Sequence, residues 1–261
     1  LIEHLGKGEA GLAVARANRD ILRSFFGVLK GAGVADVTRF VLLTGVSRFS
    51  RVSVFSALNN LNDISMTDEY AAFLGYTDAE LDAYFDEHIG HLATKLNLTM
   101  EEVHTALAQQ YNGYRFSENP LKVYNPFSVL SALQKRALKN YWFATGMPTF
   151  LVNLLRERQY ALPELEGLEV GPSVFSTFEL ERLLPEALLF QTGYLTIADV
   201  DMGIYTLDYP NQEVKTSFTE SLLLAVENFP QTVTSHVLRL AHHLHAEDLD
   251  AFFTTMTAIF A

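Results

Sequence analysis

Hydroxyl and guanidinium side chains follow a short apolar run early in the chain, at Thr44, Ser47, Arg48 and Arg51. Hydroxyl groups hydrogen-bond phosphate oxygens, and guanidinium groups bind them as planar, permanently charged, bidentate donors. Gly45 lets the backbone turn sharply here because it carries no Cβ. This combination of residue types is suited to contacting a phosphate group. The alternative is an ordinary surface loop with two solvated arginines.

The element expected to position these side chains is the apolar run itself, residues 37–43. It has no helical period and contains β-branched and aromatic residues, so it predicts a strand buried on both faces of a parallel sheet. Ligands of open α/β sheets bind outside the carboxyl ends of such strands. Apolar spacing over residues 15–29 predicts a preceding helix, ended by Gly31 and Gly33. Together they form one αβ unit.

From residue 53 onward the pattern is helical with short turns. Thr77 with Glu80, and Thr99 with Glu102, have the spacing of capping boxes, in which hydroxyl and carboxylate each bind the other residue's backbone. Pro126 is placed to begin a further helix, since its missing N–H is not needed there. These residues have a structural role.

A β-hairpin is predicted from the apolar runs at residues 195–197 and 204–207. A helix over residues 183–190 precedes it and another begins at about Val214, which gives a winged-helix-like pattern. Residues 236–260 predict two further helices. Fold alone does not assign a function such as DNA recognition to this module.

Composition excludes several classes of protein. The 261 residues include no cysteine, which rules out disulfides, thiolate metal sites and cysteine nucleophiles. The net charge is −12 with 19 scattered basic residues, which disfavours broad electrostatic binding to nucleic acid. No apolar run reaches the roughly 18 residues that a membrane span needs. We expect a globular cytoplasmic protein, and the lack of a Met start suggests a fragment.

Histidines occur in two groups, His88 with His91, and His242, His243 and His245. Neither group has an obvious additional ligand, and metal sites need a complete, oriented shell. We therefore expect no metal site in this chain.

No GxxxxGK motif followed by Ser or Thr occurs anywhere in the chain. The segment at residues 6–8 lacks the spacing and the hydroxyl that would hold Mg²⁺. No strand bears the Glu-x-Lys pattern of a PD-(D/E)XK nuclease. We expect neither ATP hydrolysis nor nuclease activity from this chain by itself.

A series of sequence blocks carries a family resemblance. The chain resembles the prokaryotic AAA-ATPase-like family, whose members typically carry a C-terminal PD-(D/E)XK nuclease-like domain, from about residue 18 to 218. The blocks are LLTGVSRFSRVSVFSALNNLNDIS (42–65), GYTDAELDAYF (75–85), YNGYRFS (111–117), VYNPFSVLSAL (123–133), NYWFATGMPTFLVNLL (140–155), LLFQTGYLTI (188–197) and YPNQEVKTSF (209–218).

The resemblance implies roles for particular residues. Thr44 matches a polar sensor position near the γ-phosphate or attacking water, and Arg48 and Arg51 would stabilise transition-state charge or report the nucleotide state. Gly146 and Pro148 are similar to the Gly-x-Pro motif of an ATPase lid, although the same residues also suit an ordinary helix start. ATP and Mg²⁺ are expected only together with a phosphate loop on the N-terminal side.

The predicted fold class is mainly α with some β. It comprises an α/β remnant of a P-loop core (1–56), a helical lid (57–160), a winged-helix-like connector (161–228) and the helical start of a nuclease-like region (229–261). The predicted function is sensing of nucleotide state and its coupling to that downstream region. The alternative is a non-catalytic module that binds nucleic acid or protein through the winged-helix-like region. Homo-oligomer formation stays open.

Overall fold

The computed structural model describes residues 8–45, 61–142, 151, 155, 165–175, 184–225, 239–240 and 242–260. The chain divides into two compact units, Leu1–Thr219 and Glu220–Ala261. It is mainly helical with a small antiparallel sheet, which confirms the coarse fold class. In the described part, no helix is both long and apolar enough to span a lipid bilayer.

Eight labelled α-helices are described. They are α1 (Gly8–Gly27), α2 (Ala32–Ala35), α3 (Asp78–Leu96), α4 (Met100–Tyr111), α5 (Pro126–Lys135), α6 (Pro185–Gln191), α7 (Gln212–Ala225) and α8 (Leu249–Phe260). Short 3₁₀ turns lie at Val28–Lys30, Asp68–Tyr70 and Pro172–Phe175. The helix predicted over residues 15–29 is thus present as α1, followed by a 3₁₀ turn.

Helices α3, α4 and α5 pack around one apolar core. Its largest members are fully or almost fully buried, and they include Leu81, Ile89, Leu92, Leu107 and Tyr111. Both predicted capping boxes are present and begin α3 and α4. Pro126 begins α5, as predicted, behind an Asn125 cap. Local capping therefore fixes where each helix starts, and the apolar faces then determine the packing.

The sheet has three antiparallel strands in the order β1-β3-β2. They are β1 (Leu168–Val170), β2 (Thr196–Asp201) and β3 (Ile204–Asp208). The predicted hairpin is confirmed, and its turn is tighter than expected because only Met202 and Gly203 connect the strands. Both have positive φ, at 46° and 80°, which matches the twist of a two-residue hairpin.

The prediction of a strand at residues 37–43 is wrong. The described backbone there is irregular, and large side chains are exposed: Val37 by 77%, Phe40 by 79% and Leu42 by 53%. A buried strand requires neighbours that pair with its N–H and C=O groups. Among the described residues, β1, β2 and β3 pair only with one another. The α/β element of the predicted fold is therefore absent from residues 37–45.

The second unit, Glu220–Ala261, contains α8. The side chain of Asp248 accepts a hydrogen bond from the Ala251 N–H at 3.0 Å and so caps that helix. Residues 239–240 and 242–245 are also helical, in line with the two helices predicted for this region.

Candidate functional site

Of the residues predicted to contact nucleotide, the structure describes Thr44 alone. Thr44 is exposed and lies in irregular backbone. Ser47, Arg48 and Arg51 lie outside the described residues, as do Gly146 and Pro148. The predicted phosphate contacts of these residues therefore stay predictions. The described part of the chain instead brings several of the sequence blocks together at one polar centre.

Two backbone contacts at this centre join three of the sequence blocks. The N–H of Tyr114 donates to the carbonyl of Val123 at 3.2 Å, and the reverse bond is 2.9 Å. Gly113 has a φ of 119°, and a Cβ on it would lie 1.8 Å from the carbonyl oxygen of Pro210. Only glycine fits such a contact. The blocks YNGYRFS, VYNPFSVLSAL and YPNQEVKTSF thus meet through their backbones.

Glu213 lies at the middle of the centre, in the first turn of α7, with 0% of its surface exposed. One carboxylate oxygen, Oε1, accepts hydrogen bonds from the N–H groups of Tyr141 and Trp142, the latter at 2.9 Å. Those two residues are 72 and 71 positions earlier in the chain. Glu213 therefore connects the segment that follows α5 to α7.

Burial raises the pKa of the Glu213 carboxyl, because desolvation disfavours its charged form. The Ser128 hydroxyl and the two backbone N–H groups lower that pKa in part. By strict hydrogen-bond criteria, three buried atoms beside it have no partner in the described structure: Ser128 Oγ, Glu213 Oε2 and Asn211 Nδ2. Burying an acid among incompletely hydrogen-bonded polar groups costs free energy.

Tyrosines enclose the carboxylate. Burial is the main cause that raises the pKa values of Tyr111, Tyr114 and Tyr141, and the nearby charge of Glu213 adds to it. The hydroxyl of Tyr111 donates to the carbonyl of Lys139 at 2.8 Å and accepts from its N–H at 3.0 Å. These phenols therefore stay protonated at neutral pH, so each hydroxyl can donate a hydrogen bond as well as accept one.

Arg115 makes the second connection, between the YNGYRFS block and the sheet. Its backbone N–H donates to Thr196 Oγ1 at 2.8 Å. Its guanidinium donates to the carbonyls of residues 117, 118 and 119 and, at 3.3 Å, to that of Ala198 in β2. With only 6% of the residue exposed, its donors face carbonyl oxygens instead of solvent. Arg115 and Glu213 thus tie the helices to the sheet and to α7.

This centre connects the segment after α5, the sheet and α7 through the hydrogen bonds of Glu213 and Arg115, and we call it the joint. Its groups are a buried carboxylate, phenols with raised pKa and a guanidinium occupied by carbonyls, and none of them is an activated nucleophile. In the described part of the chain, no group of three or more His, Asp or Glu side chains is placed to hold a metal ion. The rings of His88 and His91 lie 6.5 Å apart on α3.

The sequence blocks that form the joint carry the family resemblance, but their pattern does not predict the roles of Glu213 and Arg115. A glutamate in the first turn of a helix is usually explained by the helix dipole. One arginine in an aromatic segment is equally unremarkable. The usable signal was the recurrence of Asn and Tyr beside Gly or Pro at residues 111–114, 124–126 and 209–211, which marks tight turns that approach other backbone closely.

The chain is 42% identical over 252 residues to an uncharacterized protein encoded in the vnfD 5′ region of Azotobacter chroococcum mcd 1. That alignment covers 95% of the chain and 46% of the relative, so the chain spans about half the length of the curated relative it matches. No family model matches the chain, and no solved structure matches it.

Proposed function

We propose that this chain couples a nucleotide-responsive segment to α7 and, through α7, to the region that follows it. The proposal combines the resemblance to AAA-ATPase-like proteins with the joint at Glu213. ATP and Mg²⁺ would bind with the help of Thr44, Ser47 and the two arginines at 48 and 51, together with a phosphate loop outside this chain.

The single observation that carries the proposal is the bonding of Glu213 to the N–H groups of Tyr141 and Trp142. These two residues are the second and third of the block that contains Gly146 and Pro148. The boundary between the two compact units falls after Thr219, inside α7. A shift of the Gly146 segment on nucleotide binding would therefore act on a helix that leads into the second unit.

The sheet supports the expected connector. The strand order β1-β3-β2, with α6 directly before the β2–β3 hairpin, agrees with the helix-plus-hairpin pattern on which the connector was predicted. Arg115 bonds to both Thr196 and Ala198 in β2, so the connector would move with the helices that carry the YNGYRFS block. In this proposal, the hydrogen bonds of Arg115 make the sheet and the helices move together, with no flexible linker between them.

Hydrogen exchange tests the proposal in the natural protein that contains this chain. We expect MgATP to change amide protection across α7 in the wild-type protein. Glu213→Ala, which removes the acceptor of the Tyr141 and Trp142 N–H groups, should reduce that change while nucleotide still binds. Glu220→Ala, in the same helix, is the matched control. An unchanged α7 on saturation with MgATP would contradict the coupling, and absence of MgATP binding would contradict the nucleotide assignment separately.

The second candidate function is protein binding through the winged-helix-like region. Its hairpin tip places two apolar side chains close together, Met202 exposed by 95% and Ile204 by 50%. Helix α6, with the sequence PEALLFQ, has no basic residue and buries most of its side chains, which disfavours nucleic acid as the partner. Double-stranded DNA binding that weakens with salt would reverse this preference.

A further inference from the structure

An open groove lies between the 3₁₀ turn that begins at Asp68 and the sheet. Its volume is about 570 Å³, and its floor contains Phe175 and Tyr205, each 6% exposed. Their rings contact edge to face, with centroids 4.7 Å apart. Asp68 and Glu118 form the exposed rim. The groove therefore combines an aromatic floor with an acidic edge.

Hydrogen bonds hold both rim carboxylates in place. Asp68 accepts the N–H of Asn119 at 3.0 Å, and Glu118 accepts the hydroxyl of Tyr205. A hydrogen bond from Ser117 is the main cause that lowers the pKa of Asp68, followed by the Asn119 N–H, so this carboxyl is charged at neutral pH. The rim is therefore preorganised, which reduces the entropy cost of binding.

The charge of the groove favours a cation. Among the described residues that line it, two are acidic and none is basic. The guanidinium of Arg115 lies near Asp68 but donates to backbone carbonyls beneath the rim, so the two carboxylates leave an excess negative charge. The net charge of −12 attracts basic partners from a longer range.

We propose that this groove binds a basic segment of a partner protein in which a large apolar side chain stands beside an arginine or lysine. The apolar side chain packs against Met66 and Pro172, above the buried rings of Phe175 and Tyr205, and the cation pairs with Asp68 and Glu118. A small ligand usually sits in a site that encloses most of its surface, whereas an open groove suits a segment that passes across it. The inference rests on the second candidate function and specifies its partner.

Fluorescence anisotropy with the whole chain tests this groove. The probe is a labelled peptide with an Arg-Phe-Arg core, and its controls carry Glu-Phe-Glu or Arg-Ala-Arg at the same place. We expect saturable binding of the first peptide and at least tenfold weaker binding of both controls. Absence of saturable binding by the Arg-Phe-Arg peptide would overturn the proposal, as would equal binding of all three peptides.

Variants locate the binding. The double substitution D68N/E118Q keeps side-chain shape and hydrogen-bond acceptors, and we expect it to weaken binding at least tenfold. Glu169→Gln on β1, an exposed carboxylate outside the groove, is the control and should bind as the wild type does. If Met202→Ser weakens binding and D68N/E118Q does not, the groove is not the site, while protein binding by the hairpin tip still stands.

Discussion

Arg115 and Thr196 exchange two hydrogen bonds although they are 81 positions apart in the sequence. The N–H of Arg115 donates to the Thr196 hydroxyl at 2.8 Å, and that hydroxyl donates to the carbonyl of Arg115 at 3.0 Å. Both residues are buried. One side chain thus satisfies the donor and the acceptor of a backbone that has no strand partner at this point.

Thr196→Val should destabilise the protein by about 1–3 kcal/mol, because it leaves the buried N–H and carbonyl of Arg115 without partners. Thr196→Ser keeps the hydroxyl and should cost less. Urea denaturation of both variants gives the two free energies of unfolding. Equal losses in the two would mean that the methyl group, which only the Ser variant removes, matters as much as the hydrogen bonds.

Gly113→Ala should destabilise the protein by more than about 4 kcal/mol, since a Cβ would meet the Pro210 carbonyl and φ is strained for alanine. Gly203→Ala is the control: its φ is 80°, but nothing lies within 4 Å of its added Cβ. It should cost only about 1–2 kcal/mol. Thermal or urea unfolding compares them, and similar losses would contradict the close contact with Pro210.

Glu213 should make stability depend on pH. Its folded-state pKa is raised above the ordinary value of 4.5, so the folded protein retains a proton that the unfolded chain has lost. The free energy of unfolding should therefore fall as pH rises from about 4.5 through the raised pKa, and then level off. Protonation stabilises the joint, and ionisation weakens it.

Glu213→Gln tests this directly, because the amide keeps an acceptor for Tyr141 and Trp142 but does not titrate. Subtracting its free energy of unfolding from that of the wild type, at each pH, cancels the contributions of other carboxyl groups. The difference should decline across the same pH range. A difference that stays constant with pH would show that Glu213 has an ordinary pKa.

Thr44→Ala should lower ATP turnover of the natural protein about tenfold or more if Thr44 positions the nucleotide or water. Thr44 is exposed, so stability should change by no more than about 0.5 kcal/mol. Thr94→Ala, another exposed threonine, on α3, is the matched control and should retain turnover. Wild-type turnover in the Thr44 variant would remove this residue from the site.

Local signals account for what the sequence predicted correctly. The capping boxes at Thr77 and Thr99 depend on atoms within one helical turn, and the hairpin depends on a short turn between alternating residues. Strand β1 was missed because Leu168–Val170 is too short to show a period. Its existence depends on β3, whose residues lie about 40 positions later.

Residues 37–43 show the opposite error. Their composition suits a buried strand, but strand formation depends on partners that composition does not specify. The role of Glu213 was equally hidden, because it arises from Tyr141 and Trp142, more than 70 positions away. A site that is formed by long-range contacts can be recognised in the sequence only from the turn residues that allow the close backbone approach.

Because Tyr141 and Glu213 are far apart in the sequence, the helical core can form during synthesis before the joint does. Helices α3, α4 and α5 can form their core once residue 141 has left the ribosome, whereas the Tyr141 N–H waits for Glu213, 72 residues later. At about 5–20 residues per second, that interval lasts roughly 4–15 s. Until Glu213 is made, the Tyr141 N–H has only water to bond, so the edge of the helical core is completed last.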